Sequence, residues 1–221
     1  MRTLGLIPAR GGSKSVPRKN VRRLAGKPVL VWTVETALAS AALDRVVVST
    51  DDEEIAETAR ACGAEVPFLR PPDLAEDDTP DLPVYRHALE QLGDTPDAVA
   101  WLRPTAPLRS AADIEEAVRL LEETGADCVR SVCSAEHNPY WMGRLEDGRL
   151  MPLFDETYDR RQLLPRVYRL NGAVDVVRCA AVAAEGPLFG GDVRAYVMPP
   201  ERSVDLDSEL DFLLAEALLT R

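Results

Sequence analysis

The sequence predicts an α/β fold in which helices cover both faces of a doubly wound, mostly parallel sheet. Short runs of β-branched and apolar residues at 3–9 and 44–50 are typical of parallel strands buried on both faces. Apolar residues at helical spacing follow each run, so two strand–helix pairs are predicted in succession. The length of 221 residues suits a single domain, 1–221, with one excursion at 137–167.

The first half of the chain supplies these two strand–helix pairs. The first strand ends on a glycine-rich turn, and Pro28 stands where the first turn of a helix tolerates proline. That helix is predicted to run to Ala41, because apolar residues recur three or four positions apart. After the second strand, Asp51 is predicted to cap a helix that ends at Cys62, with Glu54 as its capping-box partner.

The later elements continue this alternation. Residues 66–81 are rich in proline and acidic side chains, which indicates a loop. The elements predicted after it are a helix at 81–92, a strand at 97–103, a helix from Ser110 to 123 and a strand at 128–134. Because open α/β sheets bind ligands beyond the carboxyl ends of their strands, residues 104–109 are expected to contact a ligand.

Composition and charge argue against several classes of function. The net charge of −11 disfavours nucleic-acid binding, which needs a basic face. No apolar run approaches the ~20 residues that span a membrane, and the chain opens directly on a strand without a leader pattern. Four cysteines without Cys-x-x-Cys spacing and only two histidines disfavour a zinc site and predict reduced thiols in a cytoplasmic protein.

Residues 10–20 have the composition of a polyphosphate-binding loop. Gly11 and Gly12 lack a Cβ and so let backbone N–H groups approach an anion. Three cations of the loop can neutralise several phosphate oxygens at once, namely Arg10, Lys14 and Lys19. The loop matches neither the P-loop nor the dinucleotide fingerprint. The alternative is a surface turn with solvated cations, which the density of polar residues directly after a strand disfavours.

Two aspartates near the C-terminus, Asp205 and Asp207, alternate on a stretch predicted to be extended. Their carboxylates then point to the same side and can converge on one hard cation. The alternative is that they only favour the N-terminus of the next helix. Ser208 is predicted to cap that helix together with Asp211. The buried face of the helix is predicted to consist of Leu210, Leu213, Leu214, Ala217 and Leu218.

The segment Ile7-Pro-Ala-Arg-Gly-Gly-Ser-Lys-x-x-Pro-x-Lys-Asn20 resembles the signature of the acylneuraminate cytidylyltransferases, whose relatives include the Kdo cytidylyltransferases. Further similar stretches follow in the family's order: Pro104-Thr-Ala-Pro-Leu-Arg109, an Asn-Gly-Ala strand at 168–174, and Ser203-Val-Asp-Leu-Asp207. The resemblance implies an enzyme that transfers CMP from CTP to a sialic-acid-type sugar acid and releases pyrophosphate. It also implies one or two Mg²⁺ ions.

The resemblance assigns residues to each substrate. CTP is expected to contact Arg10, Gly11, Gly12, Ser13, Lys14, Lys19, Asn20 and Arg70. Catalytic roles are expected for Arg10, Lys14, Lys19 and Asp207. The acceptor is expected to contact Arg103, Thr105, Arg161, Gln162, Asn171 and Asp175. The metal ligands are expected to be Asp205 and Asp207.

Residues 137–167 show no clear period and contain four aromatic residues (Tyr140, Trp141, Phe154 and Tyr158) as well as Met142. They form either an ordinary core flap or an arm that packs on a second subunit, since interfaces favour Trp, Tyr, Met and Arg. The resemblance implies the arm and a homodimer, because members of the family dimerise through this excursion.

Two positions depart from the family's pattern. Arg103 replaces a glutamine that contacts the sugar acid, and Asp175 stands where the family usually has tyrosine. The opposite charges predict an Arg103–Asp175 ion pair, because a buried cation needs a partner.

Two other functions stay open. One is a nucleotidyltransferase for a Kdo-type acid, a sugar phosphate or a phosphonate, and the other is a CTP-binding regulator without catalysis. The intact Asp205/Asp207 pair disfavours the regulator.

Overall fold

The computed structural model describes residues 1–182 and 185–220. Its strands are β1 (Thr3–Pro8), β2 (Arg23–Leu24), β3 (Lys27–Pro28), β4 (Arg45–Ser49), β5 (Ala98–Trp101), β6 (Cys128–Ser134), β7 (Gly143–Glu146), β8 (Arg149–Pro152), β9 (Tyr168–Arg178) and β10 (Val193–Val197). Its α-helices are α1 (Val29–Leu38), α2 (Glu53–Ala61), α3 (Asp81–Leu92), α4 (Ala111–Thr124) and α5 (Glu209–Leu219). The predicted strands and helices occur in the predicted order, and β2, β3, β7, β8 and β10 are additional to them.

Six strands form the central sheet in the order β10–β6–β9–β5–β1–β4. β1 pairs in parallel with β4 and with β5, and β10 pairs in parallel with β6. β9 runs antiparallel to β5 and β6, because the chain returns from the excursion directly into β9 without a crossover helix. The predicted doubly wound, mostly parallel α/β architecture is confirmed.

Successive side chains of the strands point to opposite faces of the sheet and build two hydrophobic cores. Ile7 packs in the core that α1, α2 and α4 cover, whereas Leu6 packs in the core that α3 covers. A third cluster joins Val16, Leu206 and Phe212 of α5. It fastens the segment around residues 205–207 against the loop at 10–20, so the two predicted ligand-binding stretches become neighbours.

The cap of α2 lies one residue later than predicted. Asp52, and not Asp51, is the N-cap, since its carboxylate accepts a 3.1 Å hydrogen bond from the backbone N–H of Ile55. The expected partner Glu54 forms an ion pair with Arg18 instead. Two consecutive aspartates fit the capping pattern equally well, and the first of them is used elsewhere, as described below.

The other two predicted caps are confirmed. Ser110 and Ser208 each accept a bond from the backbone three residues on, and the carboxylate at that position bonds back to the cap. These reciprocal capping boxes fix the starts of α4 and α5.

The predicted buried face of α5 is wrong for Leu210, Leu213, Leu214 and Ala217, whereas Leu218 is partly buried against the third cluster. Leu210 and Leu213 are 73% and 66% exposed, whereas Phe212 and Ala215 are buried. α5 does not lie on the central sheet but packs beside β2, against Val16 and Leu206 among others. Because its sequence is apolar on almost every side, the spacing of its leucines could not indicate which side faces the protein.

The excursion contains a hairpin that the sequence analysis left without secondary structure. β7 and β8 pair antiparallel around a turn at Asp147 and Gly148, both of which have positive φ. An Asp-Gly pair between two short strands is a typical hairpin signal. The hairpin has little cover in the single chain, and Leu145 is 78% exposed.

All four cysteines are free thiols, as predicted. Within residues 1–182 and 185–220, no helix combines the length and the apolar character that a membrane crossing requires.

Candidate functional site

A cavity of 540 Å³ lies where β1 and β5 end at the same edge of the sheet. Its walls come from residues 10–20, called the cation loop, and from residues 70–81, called the acidic loop. The stretch after β5 adds Pro104 and its neighbours, which confirms the expected position of this stretch at the carboxyl end of a strand. The predicted site residues that line the cavity are Arg10, Gly12, Ser13, Lys14, Lys19, Asn20, Arg70, Arg103, Thr105 and Asp207.

Two aspartates after β4 hold the cation loop in place. The backbone N–H of Gly11 donates a 3.0 Å hydrogen bond to Asp51, so in this structure it does not face the cavity as predicted. A Cβ at Gly11 would lie only 2.8 Å from a carboxylate oxygen of Asp52, which explains the need for glycine. Asp52 also pairs with Arg18 at 2.6 Å.

Lys19 joins the cation loop to the C-terminal aspartates. Its Nζ donates to the backbone oxygen of Leu206 and lies 3.2 Å from the carboxylate of Asp207. The residue is only 7% exposed, which argues against the alternative of a surface turn with solvated cations at this position. Its charge is held at the edge of the cavity by surrounding structure.

Arg10 and Lys14 of the cation loop share one carboxylate. Asp77 of the acidic loop lies 2.7 Å from Arg10 and 2.5 Å from Lys14. The hydrogen bond to Asp77 raises the pKa of Lys14, and the same contact lowers the pKa of Asp77. The Asn20 amide donates to the backbone oxygen of Arg10 at 2.8 Å and so keeps this end of the loop closed.

Arg70 is a buried guanidinium with unused donors. Its Nε and one Nη have no hydrogen-bond acceptor among the described residues, and its nearest carboxylate, Asp51, is 3.9 Å away. Burial lowers the pKa of Arg70, and Asp51 offsets part of that effect. Since a buried unsatisfied donor costs about 1–3 kcal/mol, Arg70 is well placed to bond an acceptor atom of a ligand in the cavity.

Asp205 and Asp207 lie beside each other, although the backbone between them is turned and not fully extended. The Asp207 N–H donates to the Asp205 carbonyl at 3.1 Å. Burial raises the pKa of the Asp205 carboxyl, and the charge of Asp207 raises it further, against a hydrogen bond from Thr105. One buried Asp205 oxygen has no hydrogen-bond partner in the part of the chain that the structure describes.

This carboxylate pair fits a hard cation that also binds phosphate. In the described ranges no group of three or more His, Cys, Asp and Glu side chains could hold a metal by itself. Mg²⁺ commonly uses only one or two carboxylates together with water and substrate phosphates. The unpartnered oxygen of Asp205 and the exposed carboxylate of Asp207 are suitable donors of this kind.

The predicted ion pair between Arg103 and Asp175 is confirmed, with the two groups 2.7 Å apart. Arg103 also contacts Asp81, the first residue of α3, at 2.6 Å. A second cation, Arg130 on β6, lies 3.2 Å from Asp175 and stacks on the ring of Phe189. Asp175 is fully buried between these two guanidinium groups, and Arg103 presents the cluster to the cavity.

Several residues expected at the acceptor do not line the cavity among the described residues. Asn171 is buried, and its amide is occupied by Ser131 at 2.6 Å and Ser203 at 2.9 Å, so it supports the segment leading to Asp205. Asp175 reaches the cavity only through Arg103. Arg161 and Gln162 are exposed on the excursion and do not line the cavity of this chain.

Sequence reasoning missed two arginines that shape the site. Arg109 is buried and donates to the backbone oxygens of Arg103 and Ala106, so it fixes the turn that carries Thr105. Arg130 lies opposite Asp175 in the register of β6 and β9. A charged residue inside an otherwise apolar strand was the available signal for Arg130, but its partner could be found only from the strand pairing.

Comparisons with known proteins agree with this arrangement. The cytidylyltransferase family matches residues 4–169. A CMP-N,N'-diacetyllegionaminic acid synthase of Legionella pneumophila is 34% identical over 99% of this chain and 97% of its own length. An N-acylneuraminate cytidylyltransferase of Escherichia coli is 35% identical over 97% of this chain, which spans about half (52%) of that longer protein.

A solved structure with the same fold extends the comparison beyond sequence similarity. CMP:2-keto-3-deoxy-manno-octonic acid synthetase, solved as a complex with CTP, superposes with a TM-score of 0.74 at 16% identity. The alignment covers 100% of this chain and 99% of that one. The two chains therefore share the same overall fold.

Proposed function

The chain belongs to the cytidylyltransferase family, which makes it a nucleotidyltransferase, and we propose that it transfers CMP from CTP to a nonulosonic, sialic-acid-like sugar acid. The observation that carries the proposal is the convergence of Arg10, Lys14, Lys19 and Asp207 on one cavity. A cavity in which three cations of one loop lie near the Asp207 carboxylate suits a triphosphate accompanied by a divalent ion.

In the proposed reaction a hydroxyl of the acid attacks the α-phosphorus of CTP in line with the leaving group. The hydroxyl gives up its proton as the new P–O bond forms, and the bond to pyrophosphate breaks. Positioning and charge neutralisation are the main tasks of the protein in such a transfer. Arg10, Lys14 and Lys19 hold the phosphates and stabilise the charge that develops on pyrophosphate. Arg70 and Asn20 face the cytosine.

We assign Asp205 and Asp207 to Mg²⁺, because they are the carboxylates beside the cation loop with an unpartnered oxygen and an exposed oxygen. One or two bound ions would neutralise phosphate charge and polarise the α-phosphorus. Lys19 keeps Asp207 oriented toward the cavity through their 3.2 Å contact.

We propose that the guanidinium of Arg103 binds the carboxylate of the acceptor. Its two contacts differ, since Asp175 is fully buried whereas the Asp81 side chain is 39% exposed. Asp175 is thus the permanent partner, and Asp81 is the partner that an incoming carboxylate replaces. The two relatives act by name on different acids at nearly equal identity, so this cluster is the better guide to the acceptor.

The proposal is tested by pyrophosphate release from CTP with a panel of acids. The panel contains N-acetylneuraminate, legionaminate, pseudaminate and Kdo, with a sugar 1-phosphate and a phosphonate for the second candidate function. Release with any nonulosonic acid supports the proposal. Release only with Kdo, the sugar phosphate or the phosphonate would favour the other nucleotidyltransferase. CTP binding without release from any acceptor would favour the regulator.

Arg10→Ala is expected to weaken CTP binding far more than folding. The Arg10 side chain is partly exposed and bonds to the acidic loop, and changes at such surface positions alter stability little. Lys19→Ala is expected to lower both the affinity for CTP and the stability of the fold, because Lys19 is buried against Leu206. Calorimetry with CTP and thermal melting of both variants check this. CTP binding by both variants at parent affinity would contradict the assignment of the cation loop.

A homodimer built on residues 137–167 is expected. Leu145 and Leu150 face each other across the hairpin and are 78% and 71% exposed, which leaves an apolar surface without cover in one chain. Arg161 and Gln162 would then reach a partner's cavity. Light scattering at micromolar concentration checks the mass, and a species of 24.2 kDa would contradict the dimer.

We also propose the cytoplasm as the site of action. The four free thiols, two of them buried, fit a reducing compartment, and no pair of them forms a disulfide.

A further inference from the structure

Arg10 and Lys14, which the proposed function assigns to the triphosphate, are already occupied by the acidic loop. One oxygen of Asp77 lies 2.7 Å from Arg10, and the other lies 2.5 Å from Lys14. Arg10 also donates to the backbone oxygen of Glu76 at 2.7 Å, so both ends of its guanidinium are directed at this loop. A single carboxylate thus bridges the two cations, as a phosphate group would.

We propose that Asp77 is an internal competitor of the triphosphate, which must displace it before the nucleotide can bind in full. The inference rests on the proposed function, because it assumes that Arg10 and Lys14 hold phosphate. It adds a residue that sets nucleotide affinity without contacting the bound nucleotide.

Because Asp77 lies at the surface, displacing its carboxylate from the two cations costs little free energy. Lys14 is almost fully exposed, at 85%, and the Arg10 and Asp77 side chains are about one-third exposed. Ion pairs between exposed side chains contribute little, because water competes for both partners. A triphosphate carries several negative charges, whereas Asp77 carries one. The triphosphate therefore displaces Asp77 from the two cations, but the free energy spent on breaking the Asp77 contacts lowers its affinity.

The loop that carries Asp77 is anchored at its ends. The Arg70 N–H donates to the Thr50 carbonyl at 2.7 Å, and α3 begins at Asp81. Between these anchors Glu76, Asp77 and most neighbouring side chains are exposed. The carboxylate can therefore leave the cations by local rotation while the rest of the fold stays in place.

The test compares Asp77→Asn with a matched control, Asp73→Asn. Asp73 lies on the same loop and is exposed, and among the described residues its side chain has no ion pair. Both variants change the net charge equally, so they separate a local contact from a general electrostatic effect. The probes are inorganic tripolyphosphate and CTP, each titrated by calorimetry at low and at high salt.

Asp77→Asn is expected to bind both probes about threefold to tenfold more tightly than the parent, with less than about a twofold change for Asp73→Asn. The advantage should shrink at about 1 M salt, where charges are screened over about 3 Å. Equal gains by both variants, or no gain by Asp77→Asn, would overturn the inference. So would weaker binding by Asp77→Asn, which would make Asp77 a residue that orients the cations for phosphate.

This test is independent of the reaction. If tripolyphosphate shows the expected difference while no acid releases pyrophosphate, the competitor is supported and the proposed function fails. If pyrophosphate is released but Asp77→Asn behaves like the parent, the proposed function stands and the competitor does not.

Discussion

Asp207→Asn is expected to lose about a hundredfold or more in turnover while keeping its fold. Asp207 is one of the two carboxylates assigned to Mg²⁺, and losing one charged ligand removes several kcal/mol of transition-state stabilisation. The folded state should change little, because the side chain is 74% exposed and an asparagine oxygen still accepts the hydrogen bond from Lys19. Steady-state turnover over a magnesium titration, beside thermal melting, measures both effects.

Glu209→Gln supplies the matched control for this variant. Glu209 is two residues away, equally exposed, and paired with Arg22 at 2.5 Å outside the cavity. The Glu209→Gln substitution removes the same charge as Asp207→Asn, and the variant is expected to keep the turnover of the parent. Near-normal activity of Asp207→Asn with saturating CTP would contradict the metal assignment. A loss shared equally by both variants would instead indicate a general charge effect.

The fold could be predicted from sequence because its signals are local. The run at 44–50 contains three consecutive valines, and Ser110 and Ser208 each stand three residues before an aspartate. The errors occur where local signals are ambiguous. Asp51 and Asp52 are equivalent cap candidates in the sequence. Only the structure shows that Asp51 accepts a hydrogen bond from Gly11 of the cation loop, while Asp52 caps α2. α5 is apolar on nearly all sides, so only its neighbours decide which side is buried.

The site could be predicted in part for the same reason. The cations and the aspartate pair stand in two short stretches, and their residue types indicate phosphate and metal chemistry without any tertiary information. Their partners could not be found in this way. Asp77 meets Arg10, and Arg130 meets Asp175, across long sequence separations that only the sheet order and the loop paths bring together. Asn171 shows the opposite error, since its buried amide serves the structure.

The second large effect is expected at the acceptor. If the Arg103–Asp175 pair selects the acid, N-acetylneuraminate is a poor substrate of the parent and another sugar acid or a smaller anionic acceptor is preferred. The contacts with Asp81 and Asp175 hold Arg103 at the cavity, where its side chain narrows the space for the acceptor. Its planar guanidinium offers two parallel N–H donors, which suit a carboxylate. Restoring the family's residues with Arg103→Gln and Asp175→Tyr together should raise kcat/KM for N-acetylneuraminate by about tenfold.

The single changes are expected to do worse than the pair, and the structure makes them unequal. Arg103→Gln leaves Asp175 paired with Arg130 at 3.2 Å, so the protein should fold normally and only lose grip on the acid. Asp175→Tyr removes the buried partner of both arginines and inserts a larger side chain beside Phe189. Overpacking and an unpaired charge should cost it about 3 kcal/mol of stability.

In the double variant Arg130 loses its carboxylate but keeps its contact with the ring of Phe189, 4.8 Å from the centroid, and its access to water. The double variant should therefore melt closer to the parent than Asp175→Tyr does, because it also replaces Arg103, which in Asp175→Tyr loses its buried partner and keeps the partly exposed Asp81. Melting temperatures and kcat/KM for N-acetylneuraminate, legionaminate and Kdo are measured on all four proteins. Efficient turnover of N-acetylneuraminate by the parent would make the ion pair incidental to acceptor choice.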